Sequence, residues 1–185
     1  MLVLASASPR RQELLRNAGI EFVVQPAHIP EVPDDGENPR KYAERLASEK
    51  ARAVHQQRPD DVVLGADTVV IVDQHILEKP RDAADAARML RLISGREHLV
   101  TTGVALVGAG FEDIRSETTV VVMGKIPDDE ILSYVATGEP MDKAGAYAIQ
   151  GIASRWISRI EGDYCNVVGL PVSLVWRMLR EYGAV

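Results

Sequence analysis

The chain has 185 residues, of which 46% are apolar and 26% charged, and its net charge is −6. That composition excludes a disordered chain, and the acidic balance excludes a broad nucleic-acid-binding face while leaving room for a local basic pocket. A single cysteine, Cys165, excludes an internal disulfide and a multi-cysteine zinc site, and no segment approaches the length of apolar run that spans a membrane.

The opening MLVLASASPRR places its arginines after a short apolar run, the reverse of a secretory signal, so a cytoplasmic protein is expected. Residues 2 to 5 predict a buried strand. Ser8 then caps a helix that starts at Pro9, where the missing N–H would be free anyway. Leu14, Leu15 and Ala18 give that helix a buried side, and Gly19 ends it. A strand is expected over 20–25, followed by PAHIPEVPDDGENP, residues 26–39, whose four prolines and lack of any period predict a loop. Asn38-Pro39 opens a second helix with Ala43, Leu46, Ala47, Ala51 and Val54 on one side.

VVLGADTVVIV, residues 62–72, is the strongest strand signal and reads as buried on both faces. Asp82 begins a third helix with Ala83, Ala86, Ala87, Leu90 and Ile93 inward and Gly95 beyond it. Strands over 98–107 and 113–123 flank GAGF as a hairpin, and a helix over about 128–137 ends near Gly138. Residues 139–151 read as irregular, a strand is expected near 155–160, and EGDYCNVVGLP reads as a tight turn before a last helix over 171–182. Strands alternating with amphipathic helices imply an α/β layer structure around a mixed sheet.

Several residues fit this frame poorly as mere scaffold. Arg10 and Arg11 occupy the first turn of a helix, where the dipole disfavours cations. With the free N–H groups of a helix start, and with Ser6 and Ser8 as further donors, two guanidiniums can hold a phosphate. The alternative is a solvated pair balanced by acids such as Glu13. Asp67 interrupts the most apolar strand, where a carboxylate must be paired, protonated or bound to a cation, unless it marks a turn in which Thr68 bonds locally. Lys50 falls inside the apolar stripe of its helix, so its ammonium either snorkels to water or enters a cleft facing an anion. Lys79 precedes Pro80 in LEKPRD and by itself is compatible with plain surface charge.

Glu31, in the proline-rich loop, and Asp67 together suit the two needs of phosphoanhydride chemistry: a divalent cation and a base that orients water. Oxygen donors favour Mg²⁺ or Mn²⁺, and the four scattered histidines show no zinc spacing. Gln150 in DKAGAYAIQG can read a base edge, since its amide both donates and accepts, or it is an ordinary surface glutamine. Cys165 lacks a nearby histidine and reads as a small buried hydrophobe.

Taken in order, LASASPRRQELL, GADTVV, EKPRD, LISGREH, DKAGAYAIQG and IEGDYCNVVGLP resemble the successive motifs of the Maf family of nucleoside triphosphate pyrophosphatases, from residue 2 to about 180. The resemblance implies one domain of two lobes over 1–185, with a central mixed twisted sheet, helices on both sides and a cleft, as in the inosine triphosphate pyrophosphatases. It implies hydrolysis of the α–β phosphoanhydride of a nucleoside triphosphate, with a divalent cation, by a homodimer. Asp67 becomes the proton acceptor. Arg10, Thr68 and Gln150 become the positions of substrate choice, and Glu31, Lys50 and Lys79 further polar positions of the site. Arg10 in SPRR, Lys79 in LEKP and Gln150 in AIQG resemble the branch that acts on dTTP and UTP. In the 7-methyl-GTP branch a tryptophan typically replaces the first arginine. The acidic residues often found just before the loop glutamate are missing here, where the chain reads AHIPE. The rival reading is a nucleotide-binding regulator of cell division with little catalysis.

Overall fold

The computed structural model describes residues 1–185. In chain order the elements are β1 (Leu2–Leu4), α1 (Pro9–Asn17), β2 (Val23–Val24), α2 (Pro39–His55), β3 (Val62–Val72), β4 (His75–Leu77), α3 (Ala83–Ile93), β5 (Glu97–Gly108), β6 (Phe111–Met123), α4 (Asp128–Ala136), β7 (Ile157–Glu161), α5 (Tyr164–Val168) and α6 (Val172–Glu181). Two 3₁₀ turns, Glu139–Asp142 and Ala144–Ala146, fall within the irregular run expected over 139–151, and a third, Ile152–Trp156, delays the strand expected near 155–160 to Ile157–Glu161. The strands hydrogen-bond in the order β2-β1-β3-β5-β6-β7, with β4 on β3. β1 runs parallel to β2 and β3, whereas β4 on β3 and β7 on β6 are antiparallel. The sheet is therefore mixed, as expected.

The residues divide into two compact units: Met1–Thr68, Thr102–Glu117 and Gly169–Val185 form the first, Val69–Thr101 and Thr118–Val168 the second. In the first unit the side-chain alternation of the strands sets up two faces. Leu2, Leu4, Leu64, Ala66, Val104 and Leu106 pack with Leu15 of α1 and Leu174, Val175, Met178 and Leu179 of α6. Val3, Val63, Ala105 and Val107 point the other way and pack with Ala47, Ala51 and Val54 of α2. Two glycines let α2 lie close on that second face. A Cβ at Gly65 would meet the Ala47 carbonyl oxygen at 2.1 Å, and one at Gly103 would meet that of Ala43 at 2.3 Å.

The helix starts follow local chemistry. Ser8 Oγ accepts from the Arg11 N–H at 3.5 Å, Asn38 Oδ1 from Arg40 at 3.0 Å, and Asp82 Oδ1 from Asp85 at 2.8 Å. Gly19 ends α1 in the left-handed region at φ +69°. Ala18 and Ala83, expected inward, are exposed: each lies at a helix end, where Leu15 and Ala86 already fill the buried side. The strand expected over 20–25 shrinks to Val23–Val24, since Ile20 is spent on closing α1 by donating to the Leu15 carbonyl.

The core of the second unit gathers Leu90 and Ile93 of α3, Ile131 and Tyr134 of α4, Met123 and Trp156. Tyr134 meets the Trp156 ring edge-on at 5.3 Å, and the Trp156 Nε1–H donates to Glu130 at 2.8 Å. EGDYCNVVGLP is a helical turn rather than a tight turn. The Asp163 carboxylate accepts from the Asn166 N–H at 3.0 Å, and the Asn166 amide donates to the Val100 carbonyl and Thr119 Oγ1, each at 3.0 Å. Cys165 lies half-buried within it.

His98 is buried in this unit with Nε2 2.6 Å from the Tyr147 hydroxyl, while Nδ1 has no partner. Burial lowers its pKa from 6.5 to about 4. The folded chain therefore holds His98 neutral, whereas the unfolded chain binds a proton below 6.5. Stability contributed this way is complete above pH 6.5 and falls as pH drops towards 4, by up to roughly 3 kcal/mol. Urea midpoints measured across that window should decline with acid in the wild type and decline much less in His98→Asn. Equal slopes in both proteins would remove His98 as the source.

Candidate active site

The side-chain alternation of β3 divides the site at its most informative residue. Asp67 shares the parity of Val63 and Gly65 and so points to the α2 face, whereas Thr68 shares that of Leu64 and Ala66 and points to the α1–α6 face. Each is met by a cation from the helix on its own side.

On the α2 face, Lys50 and Asp67 are both buried, at 7% exposure each. The Lys50 ammonium lies 2.7 Å from Asp67 Oδ1 and 2.9 Å from Glu31 Oε1. Lys50 thus resolves its two sequence readings in favour of an enclosed ion pair. It reaches Asp67 because Gly65 and Gly103 admit α2 so near the sheet. Burial raises the Asp67 carboxyl above its ordinary pKa, opposed chiefly by the Lys50 ammonium and then by Arg11. A carboxylate drawn upward in this way is a better proton acceptor than a solvated one. Glu31 stands at the exposed mouth of the arrangement, carried by the loop that precedes α2.

On the other face, Arg11 spans three acceptors. Its Nε donates to the Gly169 carbonyl at 2.8 Å, Nη1 to Ser6 Oγ at 3.1 Å and Nη2 to Thr68 Oγ1 at 3.1 Å. Burial lowers the guanidinium's pKa, and the Asp67 charge opposes that shift. Ser6 Oγ also accepts from the Ser8 N–H at 3.2 Å, so the chain entering α1 is fixed to the same point. Arg10, beside it, is half-exposed, with a buried Nε that has no partner. The two arginines of the first turn therefore differ: one is tied into the fold, the other retains an unsatisfied donor.

The structure thus brings together Glu31, Lys50 and Asp67, and separately Ser6, Ser8, Arg11 and Thr68. Lys79 and Gln150 belong to the second unit, and both are exposed. Lys79 lines a surface cavity with Arg81, Arg88 and Asp85, of which Asp85 pairs with both arginines. Gln150 precedes a loop that Glu139 holds. The Glu139 carboxylate accepts from the Tyr134 hydroxyl at 2.9 Å and the Ile152 N–H at 3.1 Å. It sits so close that a Cβ at Gly151 would meet it at 2.1 Å.

Three participants escaped the sequence reading. Thr102 lies 2.9 Å from Thr68 Oγ1, Gly169 supplies a carbonyl to Arg11, and Glu139 anchors the loop after Gln150. Threonine in a strand and glutamate beside a proline carry no signal of such roles until the sheet order is known.

No helix is long and apolar enough to cross a membrane. The model of the Maf-like protein family matches residues 1–182. A dTTP/UTP pyrophosphatase of Koribacter versatilis is 60% identical over 184 residues, covering 100% of this chain and 95% of its own. One of Symbiobacterium thermophilum is 52% identical over 182 residues, covering 98% and 94%. A further one from a Geobacillus species is 47% identical, covering 98% of each chain. Among solved structures, the nucleoside-triphosphatase / dITP/XTP pyrophosphatase of Mycobacterium abscessus covers 68% of this chain and 75% of its own at 20% identity, with a TM-score of 0.45. With the family model spanning nearly every residue and relatives of such identity aligned end to end, this chain belongs to the Maf-like protein family.

Proposed function

We propose that this chain hydrolyses the α–β phosphoanhydride of nucleoside triphosphates, preferentially dTTP and UTP, releasing the monophosphate and pyrophosphate. The observation that carries this is a buried carboxylate, Asp67, held 2.7 Å from a buried ammonium, Lys50, in a chain whose full-length relatives bear the name dTTP/UTP pyrophosphatase. Burying a charge pair without a task is costly, and an apolar pair of similar volume would serve the fold as well or better.

In this reading Asp67 takes a proton from the attacking water, and its raised pKa suits it to do so. Lys50 holds the carboxylate in place and offsets negative charge on the phosphates, as does Lys79. The half-exposed Arg10 turns its guanidinium to the substrate, and Arg10, Thr68 and Gln150 set substrate choice, Thr68 by holding Arg11 rather than by touching the substrate. Most of the rate enhancement then comes from positioning and charge stabilisation, with no covalent intermediate.

Glu31 and Asp67 present two carboxylates at one ammonium, a hard oxygen donor set. Mg²⁺ of the phosphate-bound kind uses one or two carboxylates and takes its remaining ligands from substrate and water, so these residues fit Mg²⁺ or Mn²⁺. Bound there, such a cation would neutralise phosphate charge. The family match over residues 1–182 supports reading residues 1–185 as one functional domain. A homodimer, from the family resemblance, in the cytoplasm completes the proposal.

Incubation with Mg²⁺ or Mn²⁺ and each of dTTP, UTP, CTP, GTP, ATP and 7-methyl-GTP, with every product identified, tests the proposal. Pyrophosphate with dTMP or UMP is the expected result. Tight nucleotide binding without turnover would favour a regulator instead. Arg10→Trp should alter the ratios of kcat/KM among UTP, dTTP and 7-methyl-GTP. Three unchanged ratios would reduce Arg10 to a structural or phosphate contact.

A further inference from the structure

Thr68 is the point where hydrogen-bonding capacity can be counted through. A threonine hydroxyl donates once and accepts twice. Arg11 Nη2 can only donate, and it does so to Thr68 Oγ1 at 3.1 Å. The Gly169 carbonyl can only accept, and Thr68 donates to it at 3.3 Å. With the Thr68 proton on Gly169, the remaining contact, 2.9 Å to Thr102 Oγ1, runs from Thr102 to Thr68. Every hydrogen-bonding position of the Thr68 hydroxyl is then taken inside the protein. The same Gly169 carbonyl also receives Arg11 Nε at 2.8 Å, which closes a ring of Arg11, Thr68 and Gly169. Gly169 has φ +135°, a left-handed conformation that favours glycine and that presents its carbonyl to both donors.

We infer that Thr102 is a positioning residue for the proposed reaction: by filling the last acceptor site of Thr68, its hydroxyl locks the Arg11–Thr68–Gly169 ring that borders Asp67. Its effect on the reaction runs through Thr68 and Arg11. With Thr102 silent, Thr68 keeps a free lone pair. The ring then gains a second arrangement, and the Arg11 charge that acts on Asp67 loses its fixed place. This inference rests on the hydrolytic reading of the site.

Thr102→Val preserves shape and removes the hydroxyl, whereas Thr102→Ser restores the hydroxyl with a smaller side chain. The expected result is a kcat lowered about 10- to 100-fold in Thr102→Val, with KM within about twofold of wild type, and near-normal kcat in Thr102→Ser. Melting temperatures of both variants separate this from unfolding. Wild-type kcat in Thr102→Val, or equal losses in both variants, would overturn the inference. A second readout needs no turnover: the Arg11 Nε–H resonance should move or broaden in Thr102→Val and stay in place in Thr102→Ser. Absence of pyrophosphate release by the wild type would sink the hydrolytic reading. In that case an unmoved Arg11 resonance would also overturn the ring, and a moved one would leave the ring standing as structure while removing its role in hydrolysis.

Discussion

Asp67→Asn should lower kcat by about 10²- to 10⁴-fold, the range for a positioned proton acceptor, while the folded structure persists. The amide keeps an oxygen for Lys50 Nζ, which now lies 2.7 Å from Asp67 Oδ1, so the packing around β3 changes little. Glu31, 2.9 Å from the same ammonium, still balances the Lys50 charge. What disappears is the basic lone pair whose proton affinity burial raises. KM should move far less than kcat, because the proton transfer belongs to the transition state. Steady-state kinetics on dTTP and UTP, with a melting curve beside them, measures both. Turnover close to wild type would remove Asp67 from proton acceptance and leave its burial beside Lys50 unexplained.

The largest loss of stability should come from Gly65→Ala, a change of one methyl group. Its Cβ would lie 2.1 Å from the Ala47 carbonyl oxygen, 2.9 Å from the Ala51 nitrogen and 3.0 Å from the Ala51 Cβ, all on α2. Backbone atoms cannot swing aside as a flexible side chain can, so α2 must lift from β3. Overpacking of this kind costs about 3 kcal/mol or more, which for a chain this long lowers Tm by roughly 6–12 °C. Activity should fall further than stability alone requires, because α2 carries Lys50 and β3 carries Asp67 two residues away. Thermal unfolding and kcat measured well below Tm distinguish the two effects. An unchanged Tm would show that the close approach is not what seats the helix.

These two residues also show what a sequence makes legible. Asp67 stood out because a carboxylate in VVLGADTVVIV violates the apolar run, and Lys50 because it falls within an apolar stripe. A local rule is broken in each case, and the ion pair between the two residues answers both. Helix starts were legible for the same local reason, through Ser8, Asn38-Pro39 and Asp82. The β4 strand was not. Its turn is Asp73-Gln74, both with positive φ, and it lacks the glycine that normally announces such a hairpin. The helical turn at Tyr164–Val168 was hidden too, because Asn166 is held by Val100 and Thr119, partners distant in sequence.

The division of labour between Arg10 and Arg11 lay beyond local rules altogether. Both sit in the first turn of α1, and nothing in SASPRRQ tells them apart. Only the pairing of β1 with β3, and the approach of Gly169, gives Arg11 its three acceptors. The helix start therefore does not bear two equivalent cations: Arg11 is tied to three acceptors, and Arg10 keeps a buried Nε without one.

The reaction itself is best tested in ¹⁸O-labelled water with dTTP and UTP as substrates, following both products by mass spectrometry. Water activated at Asp67 for attack on the α-phosphorus predicts one ¹⁸O in dTMP or UMP and none in the pyrophosphate released. Label in the pyrophosphate, release of orthophosphate, or bound nucleotide with no product would contradict that account.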